Sequence, residues 1–172
     1  MKRFLINLAL AIAAFTVQSC IFPQIPFLSA SPNLLLILTF SFGFICGKDA
    51  GMLCGFLCGI LLDLFYSGPF GFYTLFYVCM GYVNGIFTQY YYEDYITLPL
   101  ILSGINDLAY NLYIYIFLFL IRNRLNFLFY LREIIIPEII FTVLVTLLVY
   151  RIFLAITRKM EELEKRRDTD FV

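Results

Sequence analysis

The sequence predicts an all-α, polytopic integral membrane protein built as a six-transmembrane-helix bundle. Two observations carry that fold class. The 172 residues are 62% hydrophobic and only 14% charged, whereas soluble domains are about 45–50% apolar and about 25% charged. Apolar runs close to membrane-crossing length also recur along the chain, parted by short Pro, Gly or polar breaks. So few polar residues cannot cover the outside of a soluble globule. A soluble enzyme is excluded, and so is a disordered chain. The length allows one domain and at most two. The net charge is +0, so no basic field recruits nucleic acid. Histidine is absent, which removes the usual acid–base side chain and the commonest zinc ligand.

A crossing helix needs about 20 apolar residues. Phe4 to Phe22 is the first run, and Pro23, Pro26 and Pro32 mark an extended loop after it. Asn33 to Cys46 is a short second run, lengthened if Lys48 snorkels. Gly47-Lys48-Asp49-Ala50 is a polar turn, and Gly51 to Tyr66 is the third run. Ser67-Gly68-Pro69 breaks the chain before the fourth, Phe70 to Thr88. The Gln89–Ile96 loop is rich in tyrosine, and Tyr90, Tyr91, Tyr92 and Tyr95 suit an interfacial belt. Leu98 to Ile121 is the fifth run, with Pro99 tolerated in its first turn. Arg122 to Glu133 is a mixed loop, and Ile134 to Ile156 is the sixth run.

This reading makes 1–156 a six-span membrane domain and 157–172 a charged cytoplasmic tail. Five spans, with the second and third runs sharing one crossing, is the alternative. In the six-span arrangement nine Lys and Arg lie on the side of both termini, and Arg122, Arg124 and Arg132 lie opposite. The positive-inside rule then puts both termini in the cytoplasm. Lys2-Arg3, an apolar stretch and Cys20 resemble a lipoprotein signal, but Gln18 fits that pattern badly. The five cysteines read as small apolar packing residues, with no metal-ligand spacing among them.

Glycine is the clearest internal pattern. Gly51, Gly55 and Gly59 share one face of the third run, and Gly81 and Gly85 share one on the fourth. Small residues at this spacing let helix backbones approach closely. They serve helix packing within the chain first, and a partner contact second. Asp63 continues the row by four residues, at a helix end whose dipole disfavours a carboxylate. It needs a donor, from Ser67, the N–H groups near Phe70 and Gly71, or an arginine of the Arg122–Glu133 loop. Asn106, Asp107 and Asn111 form an intramembrane polar cluster inside the fifth run. Polar groups at that depth are costly, and a hydrogen-bonded cluster between helices is the simplest use for them. Arg151 is a candidate to reach Asp107. Glu138 suits the first turn of the sixth run, where a helix N-terminus favours negative charge. No phosphate-binding loop occurs, and no nucleophile has a base beside it. No catalytic, cofactor or metal residue is expected.

Pro32-Asn33-Leu34-Leu35-Leu36 is followed by the glycine row, then Asp63, Ser67-Gly68-Pro69-Phe70-Gly71 and Gly81-Tyr82-Val83-Asn84-Gly85. This order resembles the rod shape-determining protein MreD family. Pro32, Asn33, Asp63, Gly68, Pro69 and Gly71 carry the motif, although the family often has an acidic residue where Asn33 stands. The resemblance implies a non-enzymatic scaffold in the bacterial inner membrane, acting in lateral peptidoglycan synthesis. The implied partner is an MreC-like bitopic membrane protein, linking the chain to MreB filaments and wall synthases within the lipid bilayer. The family is also similar in architecture to the substrate-binding membrane subunits of ECF transporters. A vitamin-type transporter subunit, with a pocket on Asn106, Asp107 and Asn111, is therefore the alternative.

Overall fold

The computed structural model describes residues 2–24, 31–66, 69–90, 97–120 and 127–169. Every regular element among them is helical. α1 spans Lys2–Thr16 and runs on as a π-helical turn through Val17–Ile21. α2 spans Leu34–Cys46, α3 Lys48–Phe65 and α4 Phe72–Ile86. α5 spans Thr97–Ile114 and widens into a π-helical stretch at Tyr115–Leu120. α6 (Phe127–Tyr130), a π-helical turn (Leu131–Ile135) and α7 (Ile136–Thr169) follow one another without a break in helical backbone.

α2 is the axis of the molecule. It touches α1, α3, α4, α5 and α7, and every residue from Leu34 to Phe44 is buried. That explains a run that is apolar all round: no face of this helix meets solvent or lipid. Its 13 residues make a rod of about 20 Å at 1.5 Å per residue. A helix enclosed by others need not match a bilayer's thickness. Thr97–Phe117 and Leu128–Ile152 are the two described helices long and apolar enough to cross a membrane by themselves. The outer faces of the bundle carry exposed Leu64, Phe65, Leu75, Ile105, Leu128 and Leu148. An apolar perimeter of this kind belongs in lipid rather than water.

Two corrections to the sequence reading concern helix starts. The turn expected at Gly47–Ala50 is the single residue Gly47, and Lys48 and Asp49 already belong to α3. Gly47 has φ of 92°, a conformation other residues rarely adopt, and its N–H donates to the Gly43 carbonyl at 3.0 Å. The last helix begins at Phe127, upstream of the expected Ile134. Pro137 therefore lies inside a continuous helix, just after the wide π-helical turn at Leu131–Ile135. That turn loosens the backbone where proline removes a donor. Helical backbone also continues past Ile156 to Thr169, through most of the charged tail. No disulfide joins the five cysteines.

Candidate functional site

The glycine row lies between α3 and α4, the most densely packed helix pair. A Cβ on Gly51 would strike the Gly81 carbonyl, and one on Gly81 would strike the Gly51 carbonyl. One on Gly55 would meet the Tyr77 backbone, and one on Gly59 the Thr74 Cα. One on Gly85 would meet Lys48 Cα at 2.5 Å. Each obstacle is backbone, which cannot swing away, so these glycines are needed for space. The Lys48 ammonium lies 5.6 Å from the Tyr82 ring centre at the end of the same seam. Ala9 and Ala13, at a similar spacing on α1, are exposed instead, and Ala11 is the buried position.

Asp63 closes the other end of the seam. Its Oδ1 accepts from the Tyr73 N–H at 2.9 Å, and its Oδ2 from the Gly71 and Thr74 N–H groups at 3.0 and 3.1 Å. The Thr74 hydroxyl donates to Oδ2 as well. The carboxylate thus caps the start of α4 from the end of α3, where the exposed N–H groups favour negative charge. Gly71, with φ of 92° and ψ of −8°, makes the turn that aims them. Pro69 is exposed beside it. Ser67, Gly68, Arg122, Arg124, Tyr91, Tyr92 and Tyr95 lie outside the described residues.

Asn33 performs the matching task for α2. Its Oδ1 accepts from the Leu36 N–H at 3.1 Å and from the Tyr77 hydroxyl at 2.9 Å. Its own N–H donates to Thr142 Oγ1 at 3.2 Å. One residue therefore ties α2 to α4 and α7, with Pro32 buried next to it. An amide supplies the same capping oxygen as a carboxylate, so the departure from an acidic residue here preserves the cap. Gln18 Oε1 accepts from the next N–H, of Leu35, at 3.2 Å. Sequence reasoning passed over this role for Gln18. The signal was a lone amide at the end of an apolar run, close in sequence to the start of the next, where Asn33 can accept from only some of the free N–H groups.

Asn106 pairs reciprocally with Asn84. Each side-chain amide donates to the other's oxygen, at 2.8 and 2.9 Å. α4 and α5 otherwise meet through rings: Phe72 stacks on Tyr113 at 4.5 Å between centres, and Phe76 lies 5.6 Å from Tyr110. The Tyr113 hydroxyl donates to the Phe72 carbonyl at 3.1 Å. Asn111 Nδ2 donates to the Asp107 backbone carbonyl one turn earlier, at 3.1 Å. Asp107 is fully buried, and neither carboxylate oxygen has a hydrogen bond of good geometry, although Thr142 faces it. Arg151 is exposed at the other end of α7's apolar stretch.

Asn106, Asp107 and Asn111 do not line the cavity found at the Asn33 end. That cavity is about 240 Å³ in volume, and Gln18, Ser31, Asn33, Tyr66, Tyr110 and Glu138 line it. Glu138 faces it from within the continuous helix begun at Phe127, not from a free helix N-terminus.

This capped, glycine-seamed bundle can be set beside known families. The family model described as rod shape-determining protein MreD matches residues 1–160. The chain belongs to the MreD family. MreD proteins are membrane proteins with a role in rod shape determination, and they are part of the MreBCD shape complex. The family is one of structural shape-determining proteins and not a known enzyme family. Neither the curated proteins nor the solved structures contain a significant match to this chain.

Proposed function

We propose that this chain is a membrane scaffold of the bacterial cell-elongation machinery that acts in rod-shape determination and lateral peptidoglycan synthesis by binding a bitopic MreC-like protein. The observation that carries the reading is the match to the MreD family over residues 1–160. The chain crosses the plasma membrane six times, with both termini in the cytoplasm. Residues 1–156 form the membrane body and 157–172 the cytoplasmic tail. α2 crosses inside the protein, shielded from lipid by its neighbours. Through the MreC-like partner the body is linked to MreB filaments and to the synthases of lateral peptidoglycan.

The physical case is one of rigidity and surface. Asp63, Asn33 and the Asn84–Asn106 pair are engaged in joining helices. Gly51, Gly55, Gly59, Gly81 and Gly85 pack the body, because backbone already fills the space against them. The partner therefore meets the exposed apolar perimeter, where a single transmembrane helix can lie against α5 or α7 without displacing another.

Depletion of the chain in its native host tests this. Rod cells should round up and lose lateral wall insertion, and the wild-type chain should restore both. Depleted cells that stay rod-shaped, with normal wall insertion, would contradict the proposal. A small-molecule transporter subunit is the second reading, and the cavity at the Asn33 end favours it. Stable recovery of the chain with paired ATPases would establish that reading instead.

A further inference from the structure

The polar groups around the Asn33 end are not all used by packing. The cavity there has a volume of about 240 Å³. A dry cavity of about 150 Å³ accepts benzene, so this one holds a group of roughly ten heavy atoms. Gln18 reaches it from the turn after α1, Ser31 and Asn33 from the start of α2, Tyr110 from α5 and Glu138 from α7. Tyr66, 46% exposed, stands at its mouth.

Among the described residues the lining holds one carboxyl group, that of Glu138, and no Lys or Arg. Asn111 is its polar neighbour within the protein. Behind it lies Asp107, fully buried, faced by Thr142 but with neither carboxylate oxygen in a hydrogen bond of good geometry, and near enough for the two acids to interact. As far as the described residues go, the cavity is thus a polar recess backed by two acids and no cation. A carboxylate in such low-dielectric surroundings is costly unless a positive group or several donors meet it. Tyrosine rings beside the recess add attraction for a cation. Hydroxyl oxygens and the second lone pair of Gln18 Oε1 supply further acceptors for N–H groups.

We propose that this cavity binds a primary ammonium group, paired with the Glu138 carboxylate and flanked by Tyr66 and Tyr110. The group can come from the ethanolamine headgroup of a membrane phospholipid or from a free soluble amine of similar size. The inference rests on the cavity and its acidic lining, and it stands whether or not the scaffold reading holds.

The test uses the full chain in lipid nanodiscs. One arm offers a mixture of phosphatidylethanolamine and phosphatidylglycerol, and native mass spectrometry reads which lipid stays with the released protein. The other arm uses phosphatidylglycerol alone and titrates ethanolamine, with ethylene glycol as the uncharged counterpart. Selective retention of the ethanolamine lipid assigns the lipid source. Saturable binding of ethanolamine without ethylene glycol binding assigns the soluble source. Glu138→Gln should weaken either signal on the order of tenfold or more, while lipid-facing Leu148→Ala leaves it unchanged. The ethanolamine and ethylene glycol comparison needs only the wild-type chain, so a poorly folded Glu138→Gln would not mask the answer. No preference for either amine over its counterpart overturns the proposal. So does amine binding that Glu138→Gln leaves intact in a folded protein.

Discussion

The seam between α3 and α4 and the seam between α4 and α5 hold the same helix on opposite sides by opposite means. On one side side chains are missing: Gly51 and Gly81 bring two backbones into contact. On the other, large rings keep the backbones apart, and the Asn84–Asn106 amides bridge the gap. The first seam gains from close van der Waals contact and is intolerant of any added atom. The second depends on pairing, so its weak point is a buried group left alone. It is also on the α5–α7 side that the unpaired Asp107 and the cavity occur. A seam without side chains leaves no room for a ligand, whereas a polar one does.

The largest expected effect breaks the glycine seam. Gly81→Ala forces a Cβ into the Gly51 carbonyl and should destabilise by about 3 kcal/mol, the upper part of the usual overpacking range. Gly104→Ala is the contrasting change. There a Cβ meets Val143 Cγ2 at 3.6 Å, ordinary contact, so better helix propensity should leave stability unchanged or raise it by up to about 1 kcal/mol. Thermal unfolding of both variants in detergent checks the pair.

Next comes the cap at the end of that seam. Asp63→Ala leaves the Gly71, Tyr73 and Thr74 N–H groups without their acceptor and should cost about 2 kcal/mol. Asp63→Asn, which keeps one acceptor oxygen, should cost less. The same unfolding assay orders the two.

The polar seam should respond more weakly, by about 1 kcal/mol for Asn106→Leu. The Asn84→Leu/Asn106→Leu double variant should recover part of that loss, since no amide is then stranded. A double-mutant cycle measures the coupling. Smallest of all is Arg151→Ala, expected within about 0.5 kcal/mol as for an exposed side chain. A large loss there would mean that Arg151 does hold Asp107.

The glycine seam was the legible part. A spacing of four places residues on one helix face, and that holds without knowing the neighbour. Asp63 was legible too, because a carboxylate at a helix C-terminus demands a donor, and the N–H of Gly71 was one of those expected. What periodicity cannot supply is which helix stands opposite. Asn106 was readable as buried and polar, but its pairing with Asn84 depends on how α4 and α5 come to lie side by side. Glu138 was read against a helix start at Ile134. The chain instead continues helically across Pro137 by way of a π-helical turn, which apolar patterning does not reveal. Gln18 was hidden for a related reason. Its partner is the Leu35 N–H, across a proline-rich loop whose path local rules do not give.

Purification of the tagged chain from its native host in mild detergent, with identification of what accompanies it, bears most directly on the scaffold reading. A bitopic shape protein should be recovered at a level comparable to the chain itself, with wall synthases in lower amount. Recovery of the chain alone, or with paired ATPases and a coupling subunit in place of the bitopic protein, would contradict it.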